Sequence, residues 1–286
     1  MAEYENRSWS SRDGLRLHYR DYAGPDGKPP LLCLPGLTRN ARDFDTMADR
    51  LAGQWRVFCI DLRGRGDSAY ADDPMTYNPV QYLEDIELLI AELGLTRFVP
   101  VGTSLGGLLS AMLAPRDPNR LAGVILNDIG PVLEAAGLER IREYVGQGRS
   151  YETWMHAARA LQDAHGDIYP AWEISDWLRY AKRLMVIGSG GRIVFDYDMK
   201  IAEPFATPQG TAPAPDMWPL FDMLAGRPAL LLRGETSDIL SAETAAQMAA
   251  RNPDLELVTL PGIGHAPTLD EPESIAAIDR LLSRIA

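Results

Sequence analysis

The feature that most constrains the fold is a short stretch in which a strand pattern turns into a helix pattern around one serine. An apolar run ends at Val101, the sequence Gly-Thr-Ser-Leu-Gly-Gly occupies positions 102–107, and a helix-forming run begins at Leu108. Such a tight turn holds its central residue, Ser104, in strained dihedral angles, and the flanking glycines let two backbone segments pass closely. The stretch therefore predicts a strand–turn–helix unit that holds the Ser104 hydroxyl at the end of a strand.

Strand and helix patterns alternate along most of the chain. After an N-terminal hairpin (8–11 and 15–22), continuous apolar runs that are typical of buried strands occupy 31–34, 56–60, 98–101, 121–127, 229–232 and 255–260. Helix patterns occupy 44–51, 79–93, 108–114, 243–250 and 274–285. This alternation predicts an α/β fold class, with a parallel sheet that carries helices on both faces.

The alternation stops between about Val132 and Pro219. Helical patterns such as 138–145 and 151–164 occur there, followed by loop-rich stretches at 188–191 and 207–213, and no buried-strand run is present. We expect residues 1–131 and 220–286 to form the core domain. Residues 132–219 are expected to form a helical cap over the carboxyl edge of the sheet.

The charge balance excludes several classes of partner. The chain of 286 residues has 28 Lys and Arg against 40 Asp and Glu, a formal net charge of −12, which argues against nucleic acid. The sequence shows neither a basic run for an anionic membrane surface nor an apolar run of membrane-spanning length, and its acidic N-terminus does not resemble a signal peptide. Cys33 and Cys59 lie in predicted core strands, which is typical of thiols in a reducing compartment. We expect a cytoplasmic protein, a monomer or a homodimer, that acts on a small molecule.

The Ser104 hydroxyl needs a base, since a serine hydroxyl is a poor nucleophile at neutral pH. The chain has four histidines: His18, His156, His165 and His265. His265 lies in the glycine-bounded loop 262–267, directly after a predicted strand, and hence at the same edge of the sheet as Ser104. We therefore interpret His265 as the base.

The base in turn needs an acid that orients it. Asp238 follows the penultimate strand in the order Ser–Asp–His and is the preferred interpretation. Asp128, after the sixth strand, could reach the same histidine and is the alternative acid. Glu235 is a more distant third.

A negatively charged oxygen that forms when serine attacks a carbonyl needs two N–H donors. The backbone of Leu105, directly after the serine, is one candidate. The backbone of Leu37, in the loop after the first parallel strand, is the other.

Three further kinds of site are not expected: a phosphate site, a dinucleotide-cofactor site and a metal site. In the loop 61–68 we expect Asp61 and Arg63 to pair locally, and the lack of a Walker-type lysine argues against phosphate binding. The stretch 102–107 only partly matches a dinucleotide fingerprint, so no cofactor is expected. The histidines are far apart in the sequence and no Cys/His cluster occurs, so no metal site is expected either.

Taken together, the stretches 61–68, 102–107, 126–131 and 262–265 resemble the α/β-hydrolase superfamily over nearly the whole chain. The resemblance implies an eight-stranded, mostly parallel sheet, a helical cap and a triad of Ser104, His265 and Asp238. Many members have His-Gly where this chain has Pro35-Gly36, which changes the loop that holds the second oxyanion donor. Relatives with an aspartate nucleophile are excluded, because the nucleophile position holds Ser104.

We expect a hydrolase that cleaves a carboxylic ester or lactone through an acyl-enzyme. The tryptophans and tyrosines of the cap favour an apolar or aromatic substrate, or form the core of the cap itself. The alternative is hydrolysis of a C–C bond in a vinylogous diketone, for which a cap arginine would have to bind a carboxylate; the candidates are Arg142, Arg159, Arg179 and Arg192. A ligand receptor on the same fold is a third interpretation.

Overall fold

The computed structural model describes residues 2–206 and 215–285, so the predicted loop 207–213 lies outside the described residues. The strands are β1 Tyr4–Ser10, β2 Arg16–Tyr22, β3 Leu31–Leu34, β4 Val57–Asp61, β5 Val99–Thr103, β6 Val124–Asn127, β7 Ser150–Tyr151, β8 Met185–Ile187, β9 Ile193–Phe195, β10 Ala229–Gly234 and β11 Leu255–Leu260.

The helices are α1 Asp45–Leu51, α2 Pro79–Glu92, α3 Leu105–Leu113, α4 Ala135–Tyr144, α5 Trp154–His165, α6 Ile174–Leu184, α7 Glu203–Ala206, α8 Trp218–Asp222, α9 Ala242–Arg251 and α10 Pro272–Ser283. Short 3-10 helices occupy Ala41–Phe44, Pro74–Thr76, Pro118–Arg120 and Met199–Ala202. Among the helices of the described residues, none has the length and apolar character needed to cross a bilayer.

Eight strands form one sheet in the order β1-β2-β4-β3-β5-β6-β10-β11. The first two strands make the predicted antiparallel hairpin, and β2 is also antiparallel to β4. The remaining neighbours are parallel, which confirms the α/β class and the eight-stranded, mostly parallel sheet. Because parallel strands share one direction, the carboxyl ends of β5, β6, β10 and β11 lie at one edge of the sheet.

The central strands are buried on both faces, which explains their continuous apolar runs. Along β3 and β4, alternate side chains enter two different cores. Leu32 and Phe58 contribute to one core, and Cys33 and Cys59 to the other. Both cysteines are buried free thiols, as predicted.

The 132–219 segment contains a feature that the sequence patterns did not indicate. Besides its helices it holds a small antiparallel sheet in the order β7-β9-β8. Strands of two or three residues are too short to show alternation, so only the folded chain identifies them. A separate apolar cluster around Trp177, Tyr180 and Leu161 fills this segment.

Candidate active site

The tight turn predicted around Ser104 is present between β5 and α3. Ser104 has φ 52° and ψ −115°, a conformation that side-chain-bearing residues seldom adopt. A Cβ atom on Gly106 would lie 1.9 Å from the Leu34 carbonyl oxygen, and one on Gly102 would lie 2.3 Å from the Gly106 backbone. A larger residue would not fit at either position, because the backbone segments pass too closely. The turn that these glycines allow places the Ser104 hydroxyl at the carboxyl edge of the sheet.

His265 lies beside that hydroxyl, as predicted. Its Nε2 atom is 2.9 Å from Ser104 Oγ, and its Nδ1 atom is 2.7 Å from Asp128 Oδ2. A carboxylate only accepts hydrogen bonds, so Nδ1 carries the proton and Nε2 is free to accept one from the serine. This arrangement can deprotonate Ser104 while it attacks an electrophile.

Asp128 is held firmly in this position. It follows the last residue of β6, and its side chain is fully buried. Its backbone N–H donates to the Leu232 carbonyl, and the Gly234 N–H donates to Oδ1 at 3.1 Å. Because Thr103 and Asn127 are register partners on β5 and β6, the next residues, Ser104 and Asp128, emerge side by side.

The prediction that Asp238 is the partner of His265 is wrong. Asp238 accepts two hydrogen bonds from Arg140, at 2.5 Å from Nε and 2.8 Å from Nη2. Burial raises the pKa of Asp238, but the Arg140 hydrogen bonds and charge outweigh that effect and leave the pKa below its usual value. The physical reason lies in the position along the chain: Asp128 directly follows β6, whereas three residues separate Asp238 from the end of β10.

Glu235, the third acid considered, does not reach His265 either. It is exposed, and its Oε2 atom accepts a hydrogen bond of 2.7 Å from the Gly262 N–H. Its contact stabilises the loop that leads to His265.

The two backbone segments expected to hold the oxyanion lie near Ser104. Gly36 and Leu37 line the same cavity as Ser104, and a Cβ atom on Gly36 would lie 3.8 Å from Ser104 Cβ. Leu105 is the first residue of α3, so its N–H belongs to the free N-terminal turn of that helix. The role of the Leu37 and Leu105 N–H groups stays a prediction.

A cavity of about 420 Å³ opens onto Ser104 and His265. One wall comes from the core domain and the other from the 132–219 segment, which contributes Arg140, Tyr144 and Tyr180. A volume of this size lies within the range of small-molecule binding sites.

The arginines and aromatic residues at the cavity are not those that the sequence indicated. The four arginines that line it are Arg39, Arg140, Arg149 and Arg183, whereas the predicted candidates Arg142, Arg159, Arg179 and Arg192 lie exposed elsewhere. The tryptophans of the segment do not line it within the described residues. Trp172 stacks on Tyr169 with ring centroids 3.8 Å apart and also contacts Trp177, so the tryptophans mainly build the core of the segment. Tyrosines provide the aromatic lining instead.

His165 is a further histidine at the cavity wall, and its ring meets Tyr144 edge to face. Burial, together with the positive charges of Arg140 and Arg39, lowers the pKa of His165 to about 4. His165 is therefore uncharged at neutral pH. Burial also raises the pKa of Tyr144 to about 12.

Asp61, the first residue of the loop 61–68, forms a second histidine–aspartate pair with His18 of β2, away from the cavity. His18 Nδ1 is 2.7 Å from Asp61 Oδ2, and its Nε2 is 2.9 Å from Asn6 Oδ1. The expected Asp61–Arg63 pair is absent from the described residues, because Arg63 binds Asp85 and Asp13 instead.

With Asp67 added, the pair forms a group of potential metal ligands within 4.8 Å of one another. Both ring nitrogens of His18 already have hydrogen-bond partners, so the geometry describes a structural network rather than a cation site.

The sequence of this chain is similar to those of known hydrolases. The chain matches the sequence profile of the alpha/beta hydrolase family over residues 31–278. It is 35% identical over 267 residues to the 3-hydroxybutyrate-oligomer hydrolase of Cupriavidus necator, which covers 91% of this chain and 90% of that protein. It is 28% identical over 246 residues to the 2-(acetamidomethylene)succinate hydrolase of Mesorhizobium japonicum, covering 86% of this chain and 84% of that protein.

A solved structure shows the same likeness in three dimensions. The crystal structure of an alpha/beta hydrolase from Novosphingobium aromaticivorans is 69% identical, superimposes with a TM-score of 0.95 and covers 99% of each chain. The profile match spans far more than half of the sequence, and the fold agrees with it. The chain therefore belongs to the alpha/beta hydrolase family.

Proposed function

We propose that this protein is a serine hydrolase that cleaves a carboxylic ester through an acyl-enzyme. The observation that carries the proposal is the chain of two hydrogen bonds from Ser104 through His265 to Asp128, at the floor of a cavity of about 420 Å³. The similarity to a 3-hydroxybutyrate-oligomer hydrolase supports an ester of a short hydroxy acid as the substrate class.

The first half of the reaction forms the acyl-enzyme. Ser104 Oγ attacks the ester carbonyl while its proton moves to His265 Nε2, and the carbonyl electrons move onto the oxygen beside the N–H groups of Leu37 and Leu105. As the tetrahedral intermediate collapses, the bond to the alkoxy group breaks and His265 gives its proton to the departing alcohol. Asp128 keeps the imidazole in the required tautomer and stabilises its charged form.

The second half repeats these steps with water. Water gives its proton to His265 and attacks the acyl carbonyl, and the bond to Ser104 breaks as the proton returns to Oγ. We further propose that residues 132–219 act as the cap, because this segment supplies the second wall of the cavity. A lactone fits the same chemistry. The cytoplasmic location and the choice between monomer and homodimer stay predictions.

The test combines active-site labelling with an ester panel. The wild-type protein is expected to react with a fluorophosphonate at Ser104 and to hydrolyse p-nitrophenyl esters, with short acyl chains preferred. Ser104→Ala is expected to abolish labelling and to lower kcat by about 10⁶-fold, as loss of a serine nucleophile does elsewhere.

Ser283→Ala is the matched control, since Ser283 is exposed at the end of α10 and should leave both readouts unchanged. Wild-type protein that takes no label and hydrolyses none of the esters would refute the proposal and favour a ligand receptor. A dienoate substrate that is turned over far faster than any ester would favour C–C hydrolysis instead.

A further inference from the structure

Two arginine side chains, Arg39 and Arg140, line the cavity that contains Ser104. Arg39 lies three residues after Gly36, and a Cβ atom on Gly36 would lie 3.2 Å from Arg39 Cγ and 3.8 Å from Ser104 Cβ. Arg140 comes from α4, in the 132–219 segment. Arg39, Arg140 and Ser104 all line this one cavity, so both guanidinium groups are available to a molecule bound beside the serine.

Each guanidinium is anchored in the same way. Arg39 uses Nε and Nη2 to bind Asp43, at 2.7 and 2.6 Å, and Arg140 uses Nε and Nη2 to bind Asp238, at 2.5 and 2.8 Å. Arg39 Nη1 donates to the Tyr180 hydroxyl as well. Two-point binding to a carboxylate fixes the plane of a guanidinium, so neither side chain has to be ordered when a ligand binds.

The anchoring leaves hydrogen-bond donors on the side away from the aspartates. Among the described residues, nothing binds Arg140 Nη1, and the Arg140 side chain keeps 31% of its surface exposed while that of Arg39 keeps 20%. Arginine has five N–H donors, of which the pairing with one carboxylate uses two.

The carboxylates of Asp43 and Asp238 balance the charges of the two arginines but occupy only their Nε and Nη2 donors. Asp43 is already bound by Arg39, and Arg183 is bound by Asp270. Glu143 and Arg149 have opposite charges and are both exposed. The neutral His165 adds no positive charge at neutral pH.

We propose that Arg39 and Arg140 together bind a carboxylate of the substrate, so that the enzyme selects esters that carry a free acid group near the scissile bond. This inference rests on the proposed function and names its substrate class more closely: the linear oligomers of a short hydroxy acid that end in a free carboxylate. A guanidinium matches a carboxylate in both charge and geometry, and two of them can engage its two oxygens.

The test compares the linear dimer of 3-hydroxybutyrate with its primary amide, which has the same shape and no charge. Each compound is added as a competitor to p-nitrophenyl butyrate hydrolysis, so that an inhibition constant is obtained whether or not the compound is cleaved. The wild-type protein is expected to bind the acid about 10- to 100-fold more tightly than the amide, as charge-assisted hydrogen bonds would give. Arg39→Gln and Arg140→Gln are each expected to lower this ratio about tenfold.

Arg142→Gln is the matched control, because Arg142 is exposed on the same helix and pairs with Glu139. It is expected to keep the wild-type ratio. A wild-type ratio near one, or a ratio that neither Arg39→Gln nor Arg140→Gln changes, would overturn the subsite. Equal weakening of acid and amide in these variants would also overturn it, since that result indicates a structural role.

The two proposals fail in different ways. If the subsite alone is wrong, p-nitrophenyl butyrate is hydrolysed and the acid and the amide compete equally. If the proposed function is wrong, no p-nitrophenyl ester is hydrolysed and no fluorophosphonate label is taken up.

Discussion

Two buried histidine–aspartate pairs in this molecule share one local geometry and differ in their surroundings. In both, the histidine Nδ1 atom is 2.7 Å from an aspartate Oδ2 atom: His265 with Asp128, and His18 with Asp61. The side chains of His265 and His18 are 9% and 3% exposed, so burial alone does not separate the pairs. The difference lies at the other ring nitrogen.

His265 Nε2 faces the hydroxyl of Ser104 in an open cavity, whereas His18 Nε2 faces the amide oxygen of Asn6. An amide oxygen carries no proton that the histidine could remove, and the described residues that line the cavity do not include His18. A histidine–aspartate pair thus becomes a candidate catalytic unit only where a hydroxyl and a substrate space adjoin it. Elsewhere the same pair ties together a hairpin strand and the end of β4.

The strongest test of this difference between the two pairs is to make the same substitution in both histidines. His265→Gln is expected to lower kcat by about 10⁶-fold, because the base is lost. His18→Gln is expected to keep kcat within about threefold of wild type and to lower the free energy of unfolding by about 3 kcal/mol, because the buried Asp61 carboxylate loses a partner. Ester hydrolysis and urea denaturation measure the two effects. Equal losses of activity in both variants would show that the pairs are not functionally different.

The next test concerns the two aspartates that compete for the role of acid. Asp128→Asn is expected to lower kcat by about 10³- to 10⁴-fold with the fold retained, because an amide in this position favours the wrong imidazole tautomer. The neutral substrate p-nitrophenyl butyrate is the appropriate probe, with circular dichroism to confirm folding.

Asp238→Asn is the matched control for this change. Asp238 binds Arg140 rather than His265, so we expect less than about a tenfold loss on the same neutral ester. If Asp238→Asn were the more damaging change, the assignment of Asp128 would be wrong and a rearranged site would have to be considered.

The smallest effect is expected at His165, which has arginines around it instead of an aspartate. Since burial lowers its pKa to about 4 from the usual 6.5, only the unfolded chain takes up a proton as the pH falls between these values. Stability is therefore unaffected by His165 above about pH 6.5 and is lost progressively between pH 6.5 and 4, by about 2 kcal/mol in total for this partly exposed group. The free energy of unfolding of His165→Gln should therefore fall less between pH 6.5 and 4 than that of the wild-type protein, as measured by urea denaturation at a series of pH values. A variant with the wild-type pH dependence would contradict the prediction.

Much of the fold was predictable because its signals are local. The Asn78 side chain accepts from the Gln81 N–H as an N-cap, and the helix it begins runs to Glu92, close to the predicted end. Strand β11 has the predicted bounds of 255–260. Long apolar runs, caps and turn glycines act over a few residues, so they can be recognised one stretch at a time. The strands of the small sheet were missed, because two or three residues carry no such pattern.

Some of the site residues also have local sequence signals, and others do not. The strained turn at Ser104 and the glycine-bounded loop of His265 have local signatures, and the structure brings these two side chains together as expected. Asp128 and Asp238 both follow strands that end at the same edge of the sheet, so local patterns do not rank them. The register of the strands decides which aspartate contacts His265. Ser104 and Asp128 each follow one of two paired residues on neighbouring strands, whereas Asp238 accepts a hydrogen bond from Arg140 on α4.

By itself, the sequence determined the class of fold, the residue held in the strained turn and the histidine beside it, because each of these depends on short-range sterics and hydrophobic periodicity. Only the tertiary structure decided which carboxylate orients that histidine and which arginines surround the cavity. These choices depend on distances between segments that are far apart in the chain, and such distances exist only once the strands are in register and the 132–219 segment packs against the sheet.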